Sequence, residues 1–178
     1  MININVFKDE LVAILDKIDG QIDAIKVDLE QNKKPLHLFN KGTNLPGVYA
    51  IFIKPKSSVT LKKLEKDWNL ISIIKFPKVV KYRFNESVKN NPEYYTFYIG
   101  KSEKVDTRLN EHITHTSKIT TYGLKLNDRV DFLNDNELFY AKYEMDELIG
   151  LDPSIIQFVI TRIELKLRGK MNPWIGKQ

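Results

Sequence analysis

Two runs of seven residues constrain this chain more than any other feature. Residues 47–53, Gly-Val-Tyr-Ala-Ile-Phe-Ile, and residues 94–100, Tyr-Tyr-Thr-Phe-Tyr-Ile-Gly, are almost wholly apolar, β-branched or aromatic. Neither alternates strictly between apolar and polar, so each reads as a largely buried strand. Residues 138–143 supply a third strand. Strands of this kind need layers to cover them, and the chain has helical patterns on either side of them in sequence. The expected fold is α/β (α+β), with a small central sheet, mixed or antiparallel, flanked by helices.

At the N-terminus, Leu11, Leu15, Ile18, Ile22, Ile25 and Leu29 recur alternately four and three residues apart, which places them on one helical face. The phase survives across Gly20. One helix of roughly 25 residues is expected, with Asn5 as its N-cap and the polar run 31–35 as its end. Its stripe is expected to pack on its own domain, with a second copy in a homodimer as the alternative. Residues 103–115 turn helical, with Ser102 or Asp106 near the start. Asp152-Pro153 pairs a capping Asp with a first-turn Pro, and Gly169 is expected to close the helix they open. Its buried stripe is Ile156, Val159, Ile160, Ile163 and Leu167. Residues 70–74 and 79–84 are read as a further hairpin or edge pair.

Charge is unevenly spread. The chain of 178 residues carries a net charge of +5. Residues 54–94 hold ten Lys or Arg against four acids, a surplus of six, which leaves about −1 for the remainder. Within that segment Lys75, Lys78, Lys81 and Arg83 are interleaved with Phe76, Tyr82 and Phe84. Cations set among rings can hold phosphates while stacking on bases or sugars, and lysines also protect exposed strand edges. With no cysteine, disulfides and thiolate metal sites are excluded. No apolar run approaches the roughly 18 residues of a membrane span, and the N-terminus lacks secretory order. A cytoplasmic protein without membrane contact is expected.

Several polar residues stand where chemistry is often placed. Arg108 and His112 are four apart on one helical face, just after a strand that ends in glycine. A guanidinium there can hold a phosphate oxygen and offset charge growing on phosphorus. Lys101, at the head of the same helix, adds a point charge. Glu164 borders an apolar stripe beside Ile160 and Ile163, an odd place for a solvated carboxylate, and it can bind a hard divalent cation. His115 shares the face of His112 and is weighed as an ordinary helix histidine.

Gly47-Val48-Tyr49 and Tyr98-Ile99-Gly100, then Arg108 and His112, a third strand and a helix bearing Glu164, follow the order of one family. Over about residues 45–175 the chain resembles the GIY-YIG nucleases. The resemblance implies a metal-dependent endonuclease that hydrolyses phosphodiester bonds of double-stranded DNA with Mg2+ or Mn2+. It makes 1–44 an N-terminal helical extension and 45–178 the nuclease domain, with 54–94 as a basic insertion. Tyr49, Tyr98, Arg108, His112 and Glu164 become the catalytic set and Glu164 the metal ligand. Lys101, Asn172, Lys75, Lys78, Lys81 and Arg83 become substrate-binding residues. The resemblance also implies that Tyr49 is the base or water-orienting group. His112 is expected to assist it as a proton acceptor, because a phenol near pKa 10 is a poor base beside an imidazole near 6.5. The alternative is a non-catalytic nucleic-acid-binding module that keeps the same fold.

Overall fold

The computed structural model describes residues 4–69, 76–116 and 118–176, with side chains from residue 9 onward. In chain order the first elements are α1 (Ile4–Gln31), β1 (Lys34–Pro35), β2 (Gly47–Pro55), α2 (Leu61–Asn69), β3 (Lys78–Val79) and α3 (Lys81–Val88). The others are β4 (Tyr95–Ser102), α4 (Val105–Thr114), α5 (Val130–Asn134), β5 (Asn136–Glu144), α6 (Pro153–Met171) and β6 (Ile175–Gly176). No helix among the described residues is long and apolar enough to cross a membrane.

The fold is mixed α+β. A four-stranded antiparallel sheet runs in the order β1-β5-β2-β4, and a two-stranded antiparallel sheet pairs β3 with β6. Central strand β2 is buried from Gly47 through Ile53, which explains why its sequence shows no alternation. Its odd positions, Tyr49, Ile51 and Ile53, enter a core with α2, α4 and α5. Its even positions, Val48, Ala50 and Phe52, enter a second core with α1 and α6. Gly47 is there for space, because a Cβ at this point would collide with the carbonyl of Tyr143 on β5.

Strand β4 is the sheet's edge. Its pairing with β2 steps from Ile51–Tyr98 to Phe52–Thr96, so Phe97 is an extra, bulged residue. The bulge lets adjacent Phe97 and Tyr98 enter the same core. Part of the outer edge is closed by the C-terminal segment, whose Trp174 amide donates to the Thr96 carbonyl at 3.1 Å.

Helix α1 spans 28 residues and runs through Gly20. It begins at Ile4, so Asn5 lies inside its first turn rather than capping it. Ile22, Ile25 and Leu29 are buried against the sheet and α6, while Val12 and Ile14 in the N-terminal half are exposed. Strand β1, within the polar run expected only to end the helix, pairs with β5, so residues before 44 share the domain's core. Helix α6 opens on Asp152, whose carboxylate accepts from the Ser154 amide. It continues past Gly169 to Met171, and Asn172 ends it in the left-handed conformation at φ 46°.

The expected strand at 79–84 is not found. Only Lys78–Val79 pairs as a strand, and α3 follows after extended Val80, because Val80 and Phe84 are four apart and both buried while Tyr82 between them is 60% exposed. Phe84 packs on Trp174 with ring centroids 4.9 Å apart. Residues 70–74, the other half of the expected hairpin, lie outside the described residues.

Candidate active site

The two phenols and His112 meet in the core beneath β2 and β4. The Tyr49 ring centroid is 6.1 Å from that of Tyr98, and His112 lies 5.7 Å from the first and 5.3 Å from the second. Gly100 makes this packing possible. A Cβ there would collide with the Tyr49 ring and hydroxyl and come within 2.9 Å of Tyr98 Cε1. Both tripeptide motifs thus end or begin in a glycine because another chain segment occupies the space of a side chain.

His112 is 0% exposed, and hydrogen bonding fixes its protonation. The backbone amide of Leu124 donates to Nδ1 at 3.0 Å, so in the neutral ring Nδ1 is the acceptor and Nε2 carries the proton. Nε2 therefore donates to Tyr49 Oη across 2.7 Å. Burial, then the positive charge of Arg108, holds the imidazole well below its usual 6.5. The proton-acceptor role expected of His112 does not match this arrangement, since its free lone pair is filled by an amide. The ring instead holds the phenol, whose own proton is left to face away from it.

Both phenols are protonated at neutral pH. Burial, then neighbouring Tyr98, raises Tyr49 well above 10. Burial, then the charge of Glu164, pushes Tyr98 up to about 12. The Arg108 guanidinium works against both shifts. It is oriented by Glu111 and by the carbonyl of Tyr122. The C-cap residue of α4, His115, lies near enough for its charge to act on His112.

Glu164 reaches this group from another direction. Helices α4 and α6 belong to opposite cores, so the five expected catalytic residues do not share one face of the sheet. They are brought together around the edge strand β4. The Glu164 carboxylate is 8% exposed and pairs with Arg168 at 2.9 Å, and its charge raises both tyrosines. Lys101 Nζ donates to Gln157 of α6 at 2.6 Å, and Gln157 donates to Glu103 at 2.6 Å, which ties α6 to the end of β4. A cleft of about 390 Å³ opens there, lined by Lys101, Arg108, Glu111 and Gln157 among others. A larger cleft, about 720 Å³, lies by β5 and α5 among mainly apolar residues and includes none of the site residues.

A buried arginine connects this site to the basic segment. Arg129, 3% exposed, donates from Nε to the Leu124 carbonyl at 2.8 Å, and it also donates to the carbonyl of Trp68 on α2. Its guanidinium carbon lies 3.5 Å over the Trp68 ring. Burial lowers it to about 10. Contacts therefore run from Trp68 through Arg129 and Leu124 to His112 and Tyr49.

The remaining expected residues are placed differently. Lys78 on β3 sits 4.0 Å from the Phe76 ring centroid, Lys81 opens α3 and pairs with Glu65 at 3.5 Å, and Arg83 donates to Tyr82 Oη at 2.9 Å. They surround the small sheet rather than the phenols. Asn172 caps α6 eight residues beyond Glu164, roughly 12 Å along the helix. Lys75 lies outside the described residues. The structure adds Tyr122, Leu124, Arg129 and Arg168. Of these only Arg168 had a signal in sequence, its spacing four residues after Glu164.

Among the described residues, no three His, Cys, Asp or Glu side chains converge as a metal cluster. One carboxylate does not suit zinc, which takes three or four protein ligands. It suits a hard ion that keeps most of its water and completes its shell with phosphate. Comparison with protein-family models, curated proteins and solved structures finds no match for this chain.

Proposed function

We propose that this chain is a nuclease of the GIY-YIG type that hydrolyses phosphodiester bonds of double-stranded DNA. The observation that carries the reading is the buried set at the edge of β4: two protonated tyrosines, an arginine fixed by Glu111, and a buried glutamate whose charge acts on both phenols. Packing needs no such concentration of polar groups, and leaving them in a core is unfavourable unless they are used or fully paired.

Each residue has a part that follows from its surroundings. Arg108 is held so that its remaining donors can face the non-bridging oxygens, where negative charge grows as water adds to phosphorus. The Tyr49 hydroxyl accepts from His112 and so presents its own proton to an incoming phosphate or water. It orients the nucleophilic water, whose proton passes to bulk solvent as the oxygen bonds to phosphorus, and it stays placed by the imidazole. His112 keeps the phenol fixed and remains neutral. Glu164 would hold a Mg2+ or Mn2+ ion, which when bound lowers the pKa of water and screens the phosphate. Lys101 adds positive charge in the cleft beside Arg108. Lys78, Lys81 and Arg83, with Lys75, supply sequence-independent attraction to the DNA backbone.

The deciding experiment incubates pure protein with supercoiled plasmid in magnesium or in EDTA, beside Glu164→Gln. Magnesium-dependent nicking or linearisation is expected of the wild type only, with both proteins folded and binding DNA alike. A Glu164→Gln protein that cuts at the wild-type rate refutes the assignment. Binding without any cleavage by the wild type identifies the non-catalytic module instead.

A further inference from the structure

Arg168 follows Glu164 by one helical turn, and its guanidinium stands at the open edge of β4. Nη2 pairs with Glu164 Oε1 at 2.9 Å and donates to the Ile99 carbonyl at 3.3 Å. The side chain is only 11% exposed. Nε is buried and has no hydrogen-bond partner among the described residues. Its charge acts on Tyr98 on one side and on Tyr122, the residue that orients Arg108, on the other.

These facts do not describe a completed structural ion pair. A buried guanidinium is favourable when its donors are filled in the planar fork it presents, and an unfilled buried donor is costly. Arg168 has a donor left over beside the carboxylate to which the nuclease reading gives the metal. Cation and guanidinium compete for the same oxygens. Resting on the nuclease reading, we infer that Arg168 is a phosphate-binding residue whose resting partner is Glu164, and that it exchanges this carboxylate for the DNA phosphate when the ion occupies Glu164. In the resting protein it offsets the charge of a buried carboxylate. In the loaded protein its fork, including the idle Nε, faces a phosphate oxygen pair, opposite Arg108.

Two measurements on the intact protein test this, using Arg168→Met to remove the charge and Arg168→Lys to keep it. The first is Mn2+ binding without DNA, by electron paramagnetic resonance. Arg168→Met is expected to bind Mn2+ several-fold more tightly than wild type, because the competing cation is gone, and Arg168→Lys to lie between them. The second is DNA binding against salt in Ca2+, a hard ion that can occupy Glu164 and so release Arg168 to the phosphate. Arg168→Met is expected to bind about tenfold more weakly, with a slope of log affinity against log salt shallower by roughly 0.9, the value of one phosphate contact. Arg168→Lys should recover the slope, which a merely misfolded protein would not. Unchanged or weaker Mn2+ binding by Arg168→Met, or an unchanged salt slope, overturns the exchange. Failure of the nuclease reading is seen separately, as cleavage that ignores Glu164→Gln.

Discussion

Replacing Tyr49 by Phe removes one atom and tests the hydrogen bond on which the site depends. The ring would keep its packing against Tyr98 and His112, at 6.1 and 5.7 Å between centroids. What changes is the acceptor for His112 Nε2–H, now 2.7 Å from Oη. The imidazole is 0% exposed, so water cannot replace it. An unsatisfied buried donor costs about 1–3 kcal/mol. For a chain of 178 residues, each kcal/mol moves the unfolding midpoint by about 2–4 °C. Tyr49→Phe should therefore lower Tm by about 4–8 °C, near the middle of that range. The assay is thermal unfolding at pH 8, where His112 is neutral folded and unfolded, beside His112→Leu and the double variant. The two single effects should overlap, with a coupling of about 1 kcal/mol or more. If Tyr49→Phe unfolds with the wild type, or the two effects add, then Nε2 does not donate to the phenol. The account of His112 as the group that orients the phenol would then fail.

Three further outcomes are expected. Because the folded His112 pKa is depressed below the unfolded value of 6.5, its neutral form supports the fold above that pH, and stability should drop as pH falls below it, by at most about 1.4 kcal/mol per pH unit; a His112→Leu protein with the same dependence of Tm on pH between 5 and 6.5 would exclude it. Gly100→Ala should displace both phenols, lower stability by about 1–3 kcal/mol and abolish cleavage, whereas Gly20→Ala, with nothing within 4 Å of the added methyl, should stabilise α1 by about 0.5–1 kcal/mol; chemical denaturation of the pair reads both. Glu at positions 75, 78, 81 and 83 should flatten the salt dependence of DNA binding by roughly 0.9 per lost phosphate contact, and an unaltered slope would assign those cations to another surface.

What could be read from the sequence is what burial on both faces writes there. Residues of β2 and β4 are apolar without alternation because two cores claim them, and α6 carries its cap and its stripe in plain order. The segment 79–84 misled because Val79, Val80, Tyr82 and Phe84 satisfy a strand about as well as a helix, and only Trp174, ninety residues away in the chain, decides for Val80 and Phe84. The site divides in the same way. Tyr49, Tyr98, Arg108, His112 and Glu164 were visible as residue types in order. The amide of Leu124 and the carbonyl of Tyr122, which set the direction of His112 and Arg108, are backbone groups and leave no mark in residue identity. Arg129 was hidden for another reason, since its α2 partner Trp68 is distant in sequence and its nearby partner is the backbone carbonyl of Leu124.

The outer edge of β4 bears on solubility as well. Residues 95–99, Tyr-Thr-Phe-Tyr-Ile, have the composition of a segment that templates intermolecular strand pairing, and they lie at a sheet border. Two of the border carbonyls are occupied from within the molecule, Thr96 by the Trp174 amide and Ile99 by Arg168. The C-terminal segment and Arg168 therefore act as gatekeepers against self-association. Removing either exposes an adhesive margin, so loss of soluble protein in such variants would arise from the freed strand and not from a weakened core.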